Sequence, residues 1–478
     1  MPDLIYTALV PHPPILIPAV GGEESERCQT TRASMQRLAS EIAGLQPEVV
    51  VVISPHGPVF SDAIAIHRLP TIAGDLSAFG APEVALSLPV EQELGERLVA
   101  EARADRIPVA PVTAEWAPEW DAERLDHGTM VPLLFLHEAG WRGAVLPVAV
   151  GMLPLLQLYA FGQALQRAIE ATGKRTVVLA SGDLSHRLST EAPDGFAPEG
   201  AEFDREVVES LGRGDLAALF TIESDLRERA GECGYRPLLM LAGVLDGQKV
   251  KPQVFSYEHP YGVGYAVSSL EPAGADSARH LRPALVAARG ERLTRRREAA
   301  HPVVQLARAA LEHHVRTGLV LDFSAGAPHE GTAPWALPKG LPDQAGVFVT
   351  LSVDGDLRGC MGTMGPTEPT LALEIVRNAI MAGRDDPRFS PVEEEELPDL
   401  EYKVDLLEAP EPVSDLDQLD PLAYGVIVAK GEQVGLLLPD LPGIATPLQQ
   451  VGIACRKAGL EPDEPGISVQ RFRVRRFV

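Results

Sequence analysis

The sequence predicts two units of different class. The first is an N-terminal α/β domain with a largely parallel sheet and flanking helices, and the second is a C-terminal α+β domain. Three observations carry this reading. Compact β-branched runs alternate with helix-spaced apolar patterns over residues 1–271. An Ala- and Arg-rich stretch, poor in large apolar side chains, follows over 272–300. Over 301–478 a helical pattern gives way to paired strand patterns. A length of 478 residues allows two to four domains at roughly 100–200 residues each, and the single composition break leaves two.

The elements follow in chain order. IYTALV (5–10), EVVVVIS (48–54), AVLPVAV (144–150) and RTVVLAS (175–181) are continuous apolar runs rather than alternating ones. Such runs suit strands buried on both faces of a parallel sheet. Segments 23–44 and 156–172 repeat apolar residues every three or four positions, as amphipathic helices do. No side chain is charged between Gly143 and Gln166, a length that could span a bilayer. Gly143, Pro147, Gly151 and Pro154 punctuate it, so it reads as a strand followed by a helix opening near Pro154. No membrane span is expected, and MPDLIYTALVPHPP lacks the basic start of a signal peptide. Residues 272–300 read as a linker or solvated helix, with Arg295, Arg296 and Arg297 on a solvated face rather than an anion-binding patch. HPVVQLARAALEHHVRTG (301–318) is helical. AGVFVTLSVDGDLRGCMG (345–362) is a hairpin, because Asp354-Gly355 supplies the positive φ of a tight turn. EYKVDLL (401–407), YGVIVAK (424–430) and EQVGLLLP (432–439) are strands.

Lys plus Arg total 42 against 67 Asp plus Glu, a net charge of −25. That disfavours phosphate-backbone binding by the whole chain, although the Arg-rich segment leaves a local nucleic-acid contact open. Cys28, Cys233, Cys360 and Cys455 form no CxxC pair, which suits a reduced, cytoplasmic protein.

The chemistry falls at strand ends. His12, His56 and His186 each follow a strand, where open parallel sheets bind ligands. His127, between Asp126 and Gly128, precedes an apolar helix, whereas His67, His137 and His259 read as structural or exposed. Two neutral imidazoles and a carboxylate are the usual facial set for non-haem Fe(II). Asp183 and Glu232 are the available carboxylates, and Glu232 also suits the free N–H groups of a helix start. In the C-terminal half, Arg358 shares a strand face with Cys360 and could activate its thiol. Gly359 and Gly362 point instead to tight packing and a structural cysteine, and Glu393 to Glu396 read as a solvated acidic helix start.

PHPP, SPHG, LDHGTMVPL, SGDLSH, ECGYRPL and HPYGVGYAV resemble the class III extradiol ring-cleavage dioxygenase B-subunit (LigB-like) family and its Memo relatives, over residues 3–271. LRGCMGT, DDPRFSPV and GLLLP resemble the AMMECR family, over 303–478. The two in series resemble the fused AmmeMemoRadiSam system family. The dioxygenase resemblance implies His12 and His56 as metal ligands, Glu232 as the third, and His127 and His186 as acid/base groups beside them. It implies Fe(II), O₂ and a small, catecholic substrate. In Memo relatives the position of Cys233 supplies a ligand, with Asp183 and His186 in the same pocket. A thiolate there would favour a softer or redox-active ion such as copper. Adjacent residues rarely ligate one ion together, and Glu232 is the expected donor of the two. Two other readings follow: a metal-binding redox or adaptor protein with a radical-SAM partner, and a zinc hydrolase using His12 and His56. The AMMECR resemblance implies no defined activity.

Overall fold

The computed structural model describes residues 3–113, 115, 124–321, 337–441, 444, 446–462 and 464–478. The chain divides into two units, Met1–Ala288 and Arg289–Val478. In the first, the strands are β1 (Leu4–Val10), β2 (Val49–Ser54), β3 (Ile64–His67), β4 (Thr71–Leu76), β5 (Ala81–Pro89), β6 (Val109–Val112), β7 (Ala144–Ala149), β8 (Thr176–Ser181), β9 (Gln248–Glu258) and β10 (Tyr265–Ala275). Its helices are α1 (Pro18–Gly21), α2 (Gln29–Gly44), α3 (Gln92–Ala104), α4 (His127–Glu138), α5 (Leu155–Thr172), α6 (Pro198–Arg213), α7 (Ser224–Ala230) and α8 (Tyr235–Val244).

Among the described residues one sheet runs in the order β6-β3-β7-β2-β8-β1-β10-β9. Its centre, β7-β2-β8-β1, is parallel throughout, and β10 and β9 add antiparallel strands at one side. The four parallel strands are the four apolar runs of the sequence. Every residue of β2 and β8 is buried, which explains why these runs do not alternate. The 143–166 stretch divides as expected: β7 ends at Ala149, and Pro154 stands at the N-cap of α5. No described helix is long and apolar enough to cross a membrane. The helix expected over 23–44 begins only at Gln29, because Gly22 turns to φ +51° and residues 22–28 form a 3₁₀ helix. β4 and β5 pair as a separate hairpin arm.

α9 (Arg282–Ala299) contains the position at which the units divide. The second unit continues with α10 (Pro302–Thr317), the hairpin β11 (Gly346–Val353) and β12 (Asp356–Gly362), α11 (Leu371–Arg384), β13 (Glu401–Leu407), β14 (Glu411–Val413), β15 (Gly425–Lys430), β16 (Gln433–Leu437), α12 (Pro447–Ala458), β17 (Ser468–Phe472) and β18 (Val474–Phe477). The strands form two sheets, β12-β11-β13-β18 and β14-β17-β15-β16, giving the expected α+β class. Much of the Arg-rich surface is paired within this unit. Arg289 and Arg292 reach the buried Asp354 at 2.9 and 3.3 Å, Arg296 pairs with Glu401, and Arg297 donates to the Pro398 carbonyl. Arg295 is exposed.

Candidate metal centre

β2, β8 and β1 lie side by side, and each carries a site residue two positions past its end: His56, Asp183 and His12. The fourth contribution comes from the turn before α8, where Cys233 enters. His12 Nε2 lies 2.9 Å from His56 Nε2 and 3.7 Å from Cys233 Sγ. All three donor atoms lie within 4.8 Å of one another, the sole such group among the described residues. The His127 ring stacks on His56 with centroids 4.3 Å apart, and lies 5.4 Å edge-on to His12.

Asp183 orders the group from behind. Its carboxylate accepts the His12 N–H at 3.0 Å, and its own N–H donates to Cys233 Sγ at 3.3 Å. Its carbonyl accepts the N–H of Cys233 and Gly234 at 3.3 and 2.8 Å. These bonds tie the β8 loop to the α8 turn. They also require that Gly182 and Gly234 meet backbone to backbone: a Cβ on Gly182 would lie 2.1 Å from the Gly234 Cα. His186 is held by its own N–H on the Gly231 carbonyl, and its Nδ1 lies 3.8 Å from the Asp194 carboxylate. Its Nε2 is buried with no hydrogen-bond partner among the described residues.

Glu232, the donor expected over Cys233, is not brought to the two imidazoles. Its carboxylate accepts the Tyr235 N–H at 2.6 Å, at the first residue of α8. A helix start leaves several N–H groups unpartnered, and this one holds Glu232 while its neighbour faces the histidines. Cys360 is likewise not set up for activation. Arg358 is committed to Glu396 by two bonds of 2.7 and 2.9 Å. The Cys360 thiol accepts from Thr350 at 3.3 Å, and burial pushes its pKa up. Gly359 is packing-determined, since a Cβ there would lie 2.1 Å from the Ala382 carbonyl oxygen. Glu396 also closes a capping box with Glu393 at the acidic 3₁₀ turn over 394–399.

Burial dominates the electrostatics. It lowers the pKa of His12 well below the usual imidazole range, with help from His56, His127 and His186, and lowers His56 to about 4. His127 and His186 are lowered for the same reason. All four rings are therefore neutral near pH 7, the form in which imidazole offers a lone pair. Burial raises the carboxyls of Asp183 and Glu232 to about 7 and holds the Cys233 thiol well above its ordinary value.

Ser54, Asp126 and Ser181 were not expected from the sequence. Ser54 Oγ donates to the Asp126 carboxylate at 2.5 Å and accepts the His56 N–H at 3.2 Å. Asp126 also caps α4 by accepting the Thr129 N–H at 3.0 Å and its hydroxyl at 2.7 Å. The available clue was a serine ending two strands just before histidine-bearing loops, ISPHG and ASGDLSH.

The donor set fits a transition metal. Two nitrogens about 2.0–2.1 Å from one ion stand about 2.9 Å apart when they subtend a right angle, and a sulfur at about 2.3 Å fits the longer spacing to His12.

This largely parallel α/β fold, with His12 and His56 past its strand ends and Cys233 in the turn before α8, belongs by its family match to the extradiol-dioxygenase-like class. The model of the catalytic LigB subunit of aromatic ring-opening dioxygenase matches residues 6–268, and the AMMECR1 model matches 304–477. Protein CA_C1420 of Clostridium acetobutylicum is 37% identical over 470 residues, covering 98% of this chain and 98% of its own. A Thermotoga maritima protein is 47% identical over 178 residues, which are 37% of this chain and 97% of the relative. The crystal structure of uncharacterized protein PH0010 from Pyrococcus horikoshii shares 32% identity at a TM-score of 0.31, covering 36% of this chain and 88% of its own. The chain belongs to the LigB family, with an AMMECR1 domain fused behind it.

Proposed function

We propose that the N-terminal unit is a metal-dependent oxidoreductase acting on a small-molecule substrate, with His12, His56 and Cys233 holding a redox-active ion. One observation carries the reading: the side chain that faces the two imidazoles is a thiol, not a carboxylate. Bound there, iron or copper would supply one-electron and O₂ chemistry. The Fe(II) facial set of ring-cleaving enzymes needs a carboxylate donor. Here Glu232 is engaged by the Tyr235 backbone and Asp183 by the His12 backbone. The absence of a carboxylate from the donor set therefore supports Memo-like redox chemistry over extradiol cleavage of a catechol.

The chain's own residues supply positioning and proton handling. Asp183 fixes the backbone of His12 and the sulfur of Cys233. His127, stacked on His56, and His186, with its buried Nε2, flank the donors and are the groups to exchange protons with substrate. The matched spans support a metal-binding domain over 1–271, a linker over 272–300 and an AMMECR-like domain over 301–478. We assign the AMMECR-like domain the role of contacting a radical-SAM protein in the cytoplasm, on the family association. A pull-down with the full chain that recovers no such protein counts against it.

Element analysis of natively purified protein tests the centre. The parent should carry iron or copper near one equivalent, Cys233→Ser should lose it, and Glu232→Gln should retain it. The reverse pattern, metal lost in the Glu232→Gln variant and kept in the Cys233→Ser variant, would overturn the reading. Oxygen uptake with a catechol panel would restore the ring-cleavage alternative.

A further inference from the structure

We propose that Ser181 is a positioning residue that fixes the tautomer of His12 and so presents the His12 Nε2 lone pair to the donor group. The inference rests on the metal-centre reading above and concerns a residue that touches no substrate.

Ser181 is the fully buried last residue of β8. Its Oγ lies 2.5 Å from the Gly128 carbonyl oxygen and 2.9 Å from His12 Nδ1. A carbonyl oxygen only accepts, so the single hydroxyl proton lies on the Gly128 side. The Oγ is then left as the acceptor toward His12, whose Nδ1 must carry the ring proton. A neutral imidazole has one such proton, and Nε2 is left with its lone pair. That is the atom 2.9 Å from His56 Nε2 and 3.7 Å from Cys233 Sγ.

The Gly128 carbonyl is available because of the sequence of α4. In an uninterrupted helix it would accept the N–H of residue 132, but that residue is Pro132, which has none. A carbonyl left without its helical partner inside the protein needs another donor. The Ser181 hydroxyl is that donor. Gly128 also has to be glycine: a Cβ would lie 2.5 Å from Ser54 Oγ and 2.9 Å from Asp126 Oδ1. Its absence lets the start of α4 lie against the ends of β2 and β8. Pro132, Gly128, Ser181 and His12 thus form one chain of cause, from a missing N–H to an oriented ring nitrogen.

Removing the partner of a ligand histidine's other nitrogen usually costs about 10–100-fold in metal affinity. The test is Co(II) binding to the metal-free full-length chain, by competition with a chromogenic chelator, with thermal midpoints of the same metal-free samples. Ser181→Ala should weaken Co(II) binding by about 10–100-fold. Ser181→Thr, which keeps the hydroxyl, should stay within a few-fold of the parent. An Ala variant that melts earlier but binds Co(II) like the parent would show a merely structural serine and overturn the proposal. So would a folded Thr variant as weak as Ala. A parent chain that binds no Co(II) overturns the metal centre and the role of Ser181 with it, whereas parental binding with an unchanged Ala variant overturns the role alone.

Discussion

Asp204 offers a direct check on how the loop carrying His186 is held. The residue is fully buried on α6, where its carboxylate accepts the Ser185 N–H at 2.8 Å and the Tyr257 hydroxyl at 2.7 Å. Burial outweighs both bonds and raises its pKa from 3.8 to about 6. An acid whose pKa is raised by folding stabilises the native state only while protonated. Its contribution is complete below the unfolded value and is lost as pH climbs through about 6. A shift of roughly two units corresponds to about 3 kcal/mol between acidic and neutral conditions. Asp204→Asn keeps the shape and an acceptor for Ser185, while its amide can donate to the Tyr257 oxygen. At pH 8 the variant should be more stable than the parent by up to about 3 kcal/mol, several degrees in thermal midpoint, and at pH 4 most of that advantage should vanish. Thermal unfolding of both full-length proteins at the two pH values reads this directly. An Asn variant less stable at pH 8, or one with the same advantage at both pH values, would refute burial as the dominant influence on this carboxyl.

Two further outcomes follow from packing. Gly162→Ala on α5 would place a methyl 2.0 Å from the Met240 carbonyl oxygen and 2.7 Å from the Gly243 Cα of α8. Overpacking against backbone costs about 1–3 kcal/mol, more than the gain of about 1 kcal/mol from replacing glycine in a helix, so the thermal midpoint should fall; an unchanged or raised midpoint would show that α8 shifts freely. In the second unit, iodoacetamide at neutral pH should modify Cys360 no faster than an unperturbed thiol, because burial raises its pKa. Peptide mapping after timed labelling measures this, and faster labelling of Cys360 would restore it as a reactive site.

The central strands were legible because burial on both faces leaves an unmistakable signature: VVVVIS has no position at which a polar side chain could face water. The loops after β1 and β2 were legible for a related reason, since histidines follow the strand ends directly. Choosing between Glu232 and Cys233 was harder. Spacing alone cannot say which of two neighbours turns inward; in the fold the start of α8 takes the Glu232 carboxylate while Cys233 Sγ lies beside the histidines. Ser54 and Ser181 were not legible as site residues. A serine at the end of a strand is ordinary, and each becomes informative only once the start of α4 is known to lie beside it. The partners of the Arg-rich segment were hidden by distance along the chain: Arg289 and Asp354 are 65 positions apart.

His12 and Cys233 stand 221 positions apart, and nothing near either residue in sequence completes the donor group. The group therefore cannot exist in a nascent chain until the turn before α8 has been synthesised and β1, β2 and β8 have aligned. An ion held by His12, His56 and Cys233 would therefore bind only after these distant segments have come together, so that metal loading would follow assembly of the sheet centre rather than nucleate it.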